Sequence, residues 1–128
     1  MAGQGSFYWN ELATNDTEAA AAFYTALVGW KTQDMPMGDG STYTLWLAAD
    51  QPVGGMFPAK GEPFEGERPT WLTYIAVNDV DETVGKVEGL GGQVLAPPVD
   101  VPDVGRFAVI ADPQGAVVAL IKPTSGEG

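Results

Sequence analysis

Trp9 and Glu11 stand two residues apart in the run FYWNELAT, Phe7 to Thr14. Residues two apart on an extended chain point to one face, so a carboxylate and an indole share a surface there. A carboxylate walled by aromatic rings can serve two kinds of chemistry. It can take or give a proton as a general base or acid, or it can hold a cationic guest beside the rings. Histidine, the commonest general base at neutral pH, is absent from the sequence, and so is cysteine. Cysteine nucleophiles, zinc–thiolate centres and disulfides are thereby excluded.

The elements that must position these residues are legible in outline. Residues 16–30 read as a helix: Asp16 or Thr17 caps its start, Glu18 suits the positive end of the dipole, and Gly29 ends it. Phe23, Tyr24 and Leu27 form the apolar face expected to enter the core. STYTLWLAAD reads as a strand and PVGGMFPA as a short one broken by glycine. After a polar loop at 59–69 the pattern restarts. TWLTYIAV is a strand, and NDVDETVGKVEGLGG is a helix with Val80, Val84 and Val87 on one face. QVLAPP is a further strand, and RFAVIADPQGAVVALI is a hairpin turning on DPQG.

The two halves align at an offset of 63 residues, pairing Ala13 with Ala76, Asn15 with Asn78, Asp16 with Asp79, Leu27 with Leu90 and Gly29 with Gly92. Identities in step with the strand–helix boundaries predict an internal duplication. The expected organisation is a single domain over 1–128 with modules of about 6–58 and 70–122, each βαβββ, and an α+β fold.

The chain has 128 residues, 45% of them hydrophobic, enough for a core outside the expected frayed ends, 1–6 and 122–128. The net charge is −11 with only six Lys and Arg, which argues against a nucleic-acid partner and suits a cationic ligand. No basic-then-apolar leader and no apolar run of membrane-spanning length is visible. The expectation is a cytoplasmic protein with no membrane partner.

The pieces FYWNELATND…AAAAFYTALVGW, VGGM, WLTYIAVNDVDETVGKVEGLGGQVLAPP and VGRFAVIADPQGAVVAL, taken in order, resemble the vicinal oxygen chelate, or glyoxalase/bleomycin resistance/dioxygenase, superfamily over about residues 6–122. The resemblance implies two βαβββ modules whose curved sheets make a cup, with helices outside. It implies a homodimer, and in many members a divalent metal held by one side chain from each of four strands. Carried over, those four positions are Trp9, Gly55 (or Met56), Leu72 and Ala119. None of Trp9, Gly55, Leu72 and Ala119 offers an oxygen or nitrogen donor. No metal and no cofactor are therefore expected.

Strand alternation then lines the cup with Phe7, Trp9, Glu11, Thr44, Trp46, Leu72, Tyr74 and Ala119. Phe57 or Met56 joins from the short strand, and Arg106 is a further polar candidate. The leading expectation is a metal-free protein that binds a planar or cationic organic molecule in this aromatic cup. The alternative is a metal-independent isomerase, epimerase or cyclase with Glu11 as general acid or base. In a third reading the chain is a degenerate structural or partner-binding member whose cup is filled by its own side chains, with Glu11 paired with Arg106 or set at a dimer interface.

Overall fold

The computed structural model describes residues 4–36, 42–58, 68–101 and 104–124. The element order is β1 (Phe7–Thr14), α1 (Thr17–Val28), β2 (Lys31–Pro36), β3 (Thr42–Ala48), β4 (Gln51–Pro58), β5 (Thr70–Ala76), α2 (Val80–Val84), β6 (Gln93–Val101), β7 (Gly105–Ala111) and β8 (Val117–Pro123). A 3-10 turn at Glu88–Leu90 lies between α2 and β6. The expected loop at 59–69 falls mostly outside the described residues. Two compact units divide the chain between Trp9 and Asn10 and again between Leu72 and Thr73.

In the unit of residues 10–72 the strands run in the order β2-β3-β4-β1. β1 and β4 are parallel, while β2–β3 and β3–β4 are antiparallel. α1 starts as its sequence dictates: the Asp16 carboxylate accepts the Ala19 N–H at 3.0 Å, and Gly29 closes the helix at φ 80°. Its docking stripe is Ala20, Ala21 and Tyr24, which pack on Leu12, Trp46 and Met56. Small residues on that stripe let the helix come close to the strands. Phe23 and Leu27, expected in the core, are instead 57% and 62% exposed. β2 has no apolar alternation, and all six of its residues are exposed. It is an end strand in this unit's order, where Lys31, Asp34 and Pro36 blunt the free edge.

The second unit repeats that order as β5-β8-β7-β6, with β5 and β8 parallel and the rest antiparallel. Asp79 caps α2 through the Glu82 N–H at 2.9 Å. Where one long helix was expected, α2 stops at Val84 and Gly85 caps it. Glycine is a poor helix former, and the chain turns there. Val80, Val87, Ala108 and Leu120 are still buried, with Val84 half-buried beside them. β6 carries Pro97 and Pro98 where its pairing with β7 skips from Ala96 to Val99. The hairpin between β7 and β8 turns on Asp112, whose carboxylate accepts the N–H groups of Gln114 and Ala116.

Of the ends expected to fray, residues 5–6 and 122–124 are tied into the fold. Gly5 N–H donates to Ala76 O at 2.7 Å, and Ala76 N–H donates to Ser6 O at 2.9 Å. Lys122 and Pro123 belong to β8, and Thr124 N–H reaches Val104 O.

Candidate ligand site

The site is built on the face of residues 10–72 that lies away from α1. Register places Glu11 opposite Gly55 and Ala13 opposite Phe57, so Glu11 and Phe57 share that face. On β4, Gly55 is in turn opposite Leu45 of β3. Leu12, Met56 and Trp46 occupy the alternate positions, under α1. Of the two candidates on β4, Phe57 therefore joins Glu11 and Met56 does not.

Glu11 is 7% exposed and meets a residue the sequence reading did not select. The Tyr43 hydroxyl donates to Glu11 Oε1 at 2.8 Å. Tyr43 lies on β3, and β4 runs between β3 and β1, so its ring crosses β4 to reach the carboxylate. It crosses at Gly55, where a Cβ would fall inside the Tyr43 phenol. The glycine in mid-strand is the sign that was available, because such a residue marks close approach of another group. Alternation that puts Thr44 and Trp46 on this face puts Tyr43 on the other, and the register reverses both.

Trp46 is the clearest correction. It is fully buried beneath α1, with ring centroids 5.5 Å from Tyr24 and 5.1 Å from Trp30. Its indole N–H meets no hydrogen-bond partner among the described residues. Trp71 joins the same aromatic group, and its N–H donates to the Tyr24 hydroxyl at 3.2 Å. Leu72, the next residue on β5, is half-buried and has the alternate orientation.

The unit that includes residues 73–124 carries the remaining candidates. Tyr74 is buried opposite Ala119, and its ring centroid is 5.8 Å from that of Phe107. Arg106 precedes Phe107 on β7 and so points to the other face. There it makes a two-pronged pair with Asp81 of α2, at 2.9 Å in each bond, and reaches Asp100 of β6 at 3.1 Å. Arg106 is thus a brace between α2 and β6, on the face of its unit opposite Phe107, where its described partners are Asp81 and Asp100 rather than a ligand-facing group. Its hydrogen bonds hold the Asp81 carboxyl below the ordinary carboxylate range and hold the guanidinium charged. Trp9 is half-buried, and Phe7 is 77% exposed.

The positions that would carry a metal have the wrong chemistry. Trp9, Gly55, Leu72 and Ala119 present an indole, a hydrogen and two alkyl groups, and the volume over Gly55 belongs to Tyr43. Among the described residues no three acidic side chains gather as a metal ion needs. The residues do not fit a metal there.

A model of the Glyoxalase/Bleomycin resistance protein/Dioxygenase superfamily matches residues 7–120. The chain belongs to this superfamily. Within it, the chain is 44% identical over 119 residues to a Mycobacterium tuberculosis protein named "Putative glyoxylase CFP32", covering 93% of this chain and 44% of that protein. It is 32% identical over 135 residues to the "Anthracycline biosynthesis protein DauV" of Streptomyces sp. (strain C5), covering 97% of this chain and 49% of that protein. It therefore spans about half the length of the curated relatives it matches. A similar fold is seen in a Streptomyces coelicolor methylmalonyl-CoA epimerase structure, with a TM-score of 0.64 and 15% identity. That alignment covers 96% of this chain and 100% of the other. Among the described residues of this superfamily member, no helix is long and apolar enough to cross a membrane.

Proposed function

We propose that this chain is a metal-free, small-molecule-binding member of the superfamily, taking a planar or cationic organic ligand at the face that carries Glu11. One observation carries the reading: Glu11 is buried and hydrogen-bonded to Tyr43 at 2.8 Å. A buried carboxylate is costly unless it has partners, and a site that keeps one is suited to a guest that donates hydrogen bonds or carries positive charge. Phe57 and the Tyr43 ring supply aromatic surface on the same face, and the net charge of −11 favours a cation. Tyr74, Phe107 and Ala119 form the corresponding face of the other unit.

The finer reading of the fold belongs to the same proposal: two βαβββ modules, about 6–58 and 70–122, with sheets curved as a cup. Support comes from the repeated strand order and from the matched caps Asp16 and Asp79. A homodimer in the cytoplasm completes it, and sedimentation of the purified chain tests the dimer.

Daunorubicin is a suitable probe, because an anthracycline joins a planar ring system to a cationic amino sugar and a relative is named for anthracycline biosynthesis. Its fluorescence should be quenched saturably by the protein, and Glu11→Gln should weaken binding about tenfold or more. Equal affinity of the two proteins, or no saturable binding by daunorubicin and a panel of planar cations, would reject the reading.

The same pair favours one alternative, a metal-independent isomerase, epimerase or cyclase. A carboxylate with a phenol at 2.8 Å is a geometry able to take a proton from an acidic C–H and return it. Exchange of such protons in D2O, followed by NMR over a panel of carbonyl compounds, should then depend on Glu11. Exchange that survives Glu11→Gln would remove that role.

A further inference from the structure

Three residues on three neighbouring strands share one volume: Glu11 on β1, Gly55 on β4 and Tyr43 on β3. We propose that Tyr43 is the positioning residue of the ligand site, and that Tyr43, Gly55 and Glu11 act as one unit presenting the Glu11 carboxylate to a cationic or hydrogen-bond-donating group. This inference rests on the binding reading above and adds to it the group that aims the carboxylate.

The geometry makes the case in steps. A glutamate side chain turns freely about three bonds, and a freely turning carboxylate gives a ligand poor directional selection. The Tyr43 hydroxyl fixes one oxygen, Oε1, at 2.8 Å. With Oε1 fixed, the carboxylate has fewer orientations open to it than a free glutamate has. A phenol has few rotatable bonds and is itself held against the sheet, which keeps the ordering cost low. The hydroxyl lies within reach only because position 55 has no side chain, since a Cβ there would fall inside the phenol. Phe57, two residues along β4 on the same face, stands beside this assembly. Glycine at 55 thus serves the carboxylate through the tyrosine, and the residue type at 55 sets the direction in which Glu11 can present itself.

The test uses the full chain labelled with [δ-13C]glutamate, with the Glu11 carboxyl line assigned by its loss in Glu11→Gln. Tyr43→Phe and Gly55→Ala should each shift that line, while Tyr24→Phe, on the α1 side, should leave it in place. Circular dichroism verifies the fold of each variant. A Glu11 line unmoved in folded Tyr43→Phe or folded Gly55→Ala overturns the proposal. Should Gly55→Ala not fold, Tyr43→Phe alone decides. In the second arm, daunorubicin should bind Tyr43→Phe about tenfold more weakly than the unaltered chain. A shifted line with unchanged affinity also overturns the positioning role. A shifted line in a chain that binds no daunorubicin or other planar cation supports the three-residue unit and rejects the binding reading, so the two failures are distinct.

Discussion

The indole N–H of Trp71 donates to the hydroxyl of Tyr24 at 3.2 Å, tying β5 to α1 inside the unit of residues 10–72. Tyr24 is also the hub of the aromatic group, with ring centroids within 5.7 Å of Phe23, Trp30, Trp46 and Trp71. No residue of α1 is fully buried, so this ring is the main anchor of the helix. Tyr24→Ala should destabilise the protein by about 3 kcal/mol and Tyr24→Phe by about 1 kcal/mol. Urea unfolding followed by tryptophan fluorescence measures both. An unchanged midpoint for Tyr24→Ala would remove Tyr24 from this role.

The turn between β3 and β4 has two residues, Ala49 and Asp50, with φ of 52° and 65°. These are left-handed values that L-residues other than Gly, Asn and Asp adopt at a cost, which here falls on Ala49. Ala48 and Gln51 are paired on either side of the turn. Replacing both as Ala49→Asn with Asp50→Gly supplies the residues this tight turn prefers. The melting temperature should rise, by an amount matching about 1 kcal/mol. Losing the Lys31–Asp50 contact should matter little, because it is 3.7 Å long and both side chains are largely exposed. A lower melting temperature would contradict the assigned turn.

Asp81 titrates below its ordinary value of 3.8 because Arg106 hydrogen-bonds it, with Coulombic attraction from the same guanidinium. A folded-state value below the unfolded one gives a stabilising contribution that is fully present above 3.8 and is lost as the pH falls through the folded value. The loss of that contribution is thus confined to strongly acidic solution. In Arg106→Gln the Asp81 carboxyl carbon, followed by NMR, should titrate nearer 3.8. An unmoved titration would show that the pair does not form. Affinity at the ligand site should not change, since Arg106 is on the α2 side.

Trp46 gives a test of the face assignment. Trp46→Phe removes buried ring volume under α1 and should cost about 2 kcal/mol. Daunorubicin affinity should stay at the level of the unaltered chain while Glu11→Gln loses it. A loss of affinity in folded Trp46→Phe equal to that of Glu11→Gln would put the indole back on the ligand face.

Much of this architecture was legible in the sequence. Asp16 and Gly29 bracket α1, DPQG turns the last hairpin, and the offset from Asp16 to Asp79 marks the second cap. What escaped has physical causes. β2 shows no periodicity because it is exposed along its whole length. Alternation on β3 gives two sets of residues but not which set meets the helix. Leu45 and Leu47 looked the better core, yet the larger indole of Trp46 fills the space left by Ala20 and Ala21. That one choice also hid Tyr43, because assigning the wrong face to β3 sends Tyr43 to the opposite side. Phe23 and Leu27 have helical spacing, but their stripe is not the one α1 docks with. Glu11 was found because a carboxylate in mid-strand is rare enough to need a reason.

Gly55 and Tyr43 also constrain descent. A side chain at 55 and the phenol at 43 claim the same space, so a side chain at 55 can be inherited only where the tyrosine at 43 is gone. A lineage that placed a donor side chain at 55 would need to shorten residue 43 first, and taking the steps in reverse order would pass through a clash in the interior. Among descendants of this chain, those that keep tyrosine at 43 are therefore expected to keep glycine at 55, and loss of the glycine is expected only after loss of the tyrosine, with volume alone setting that order.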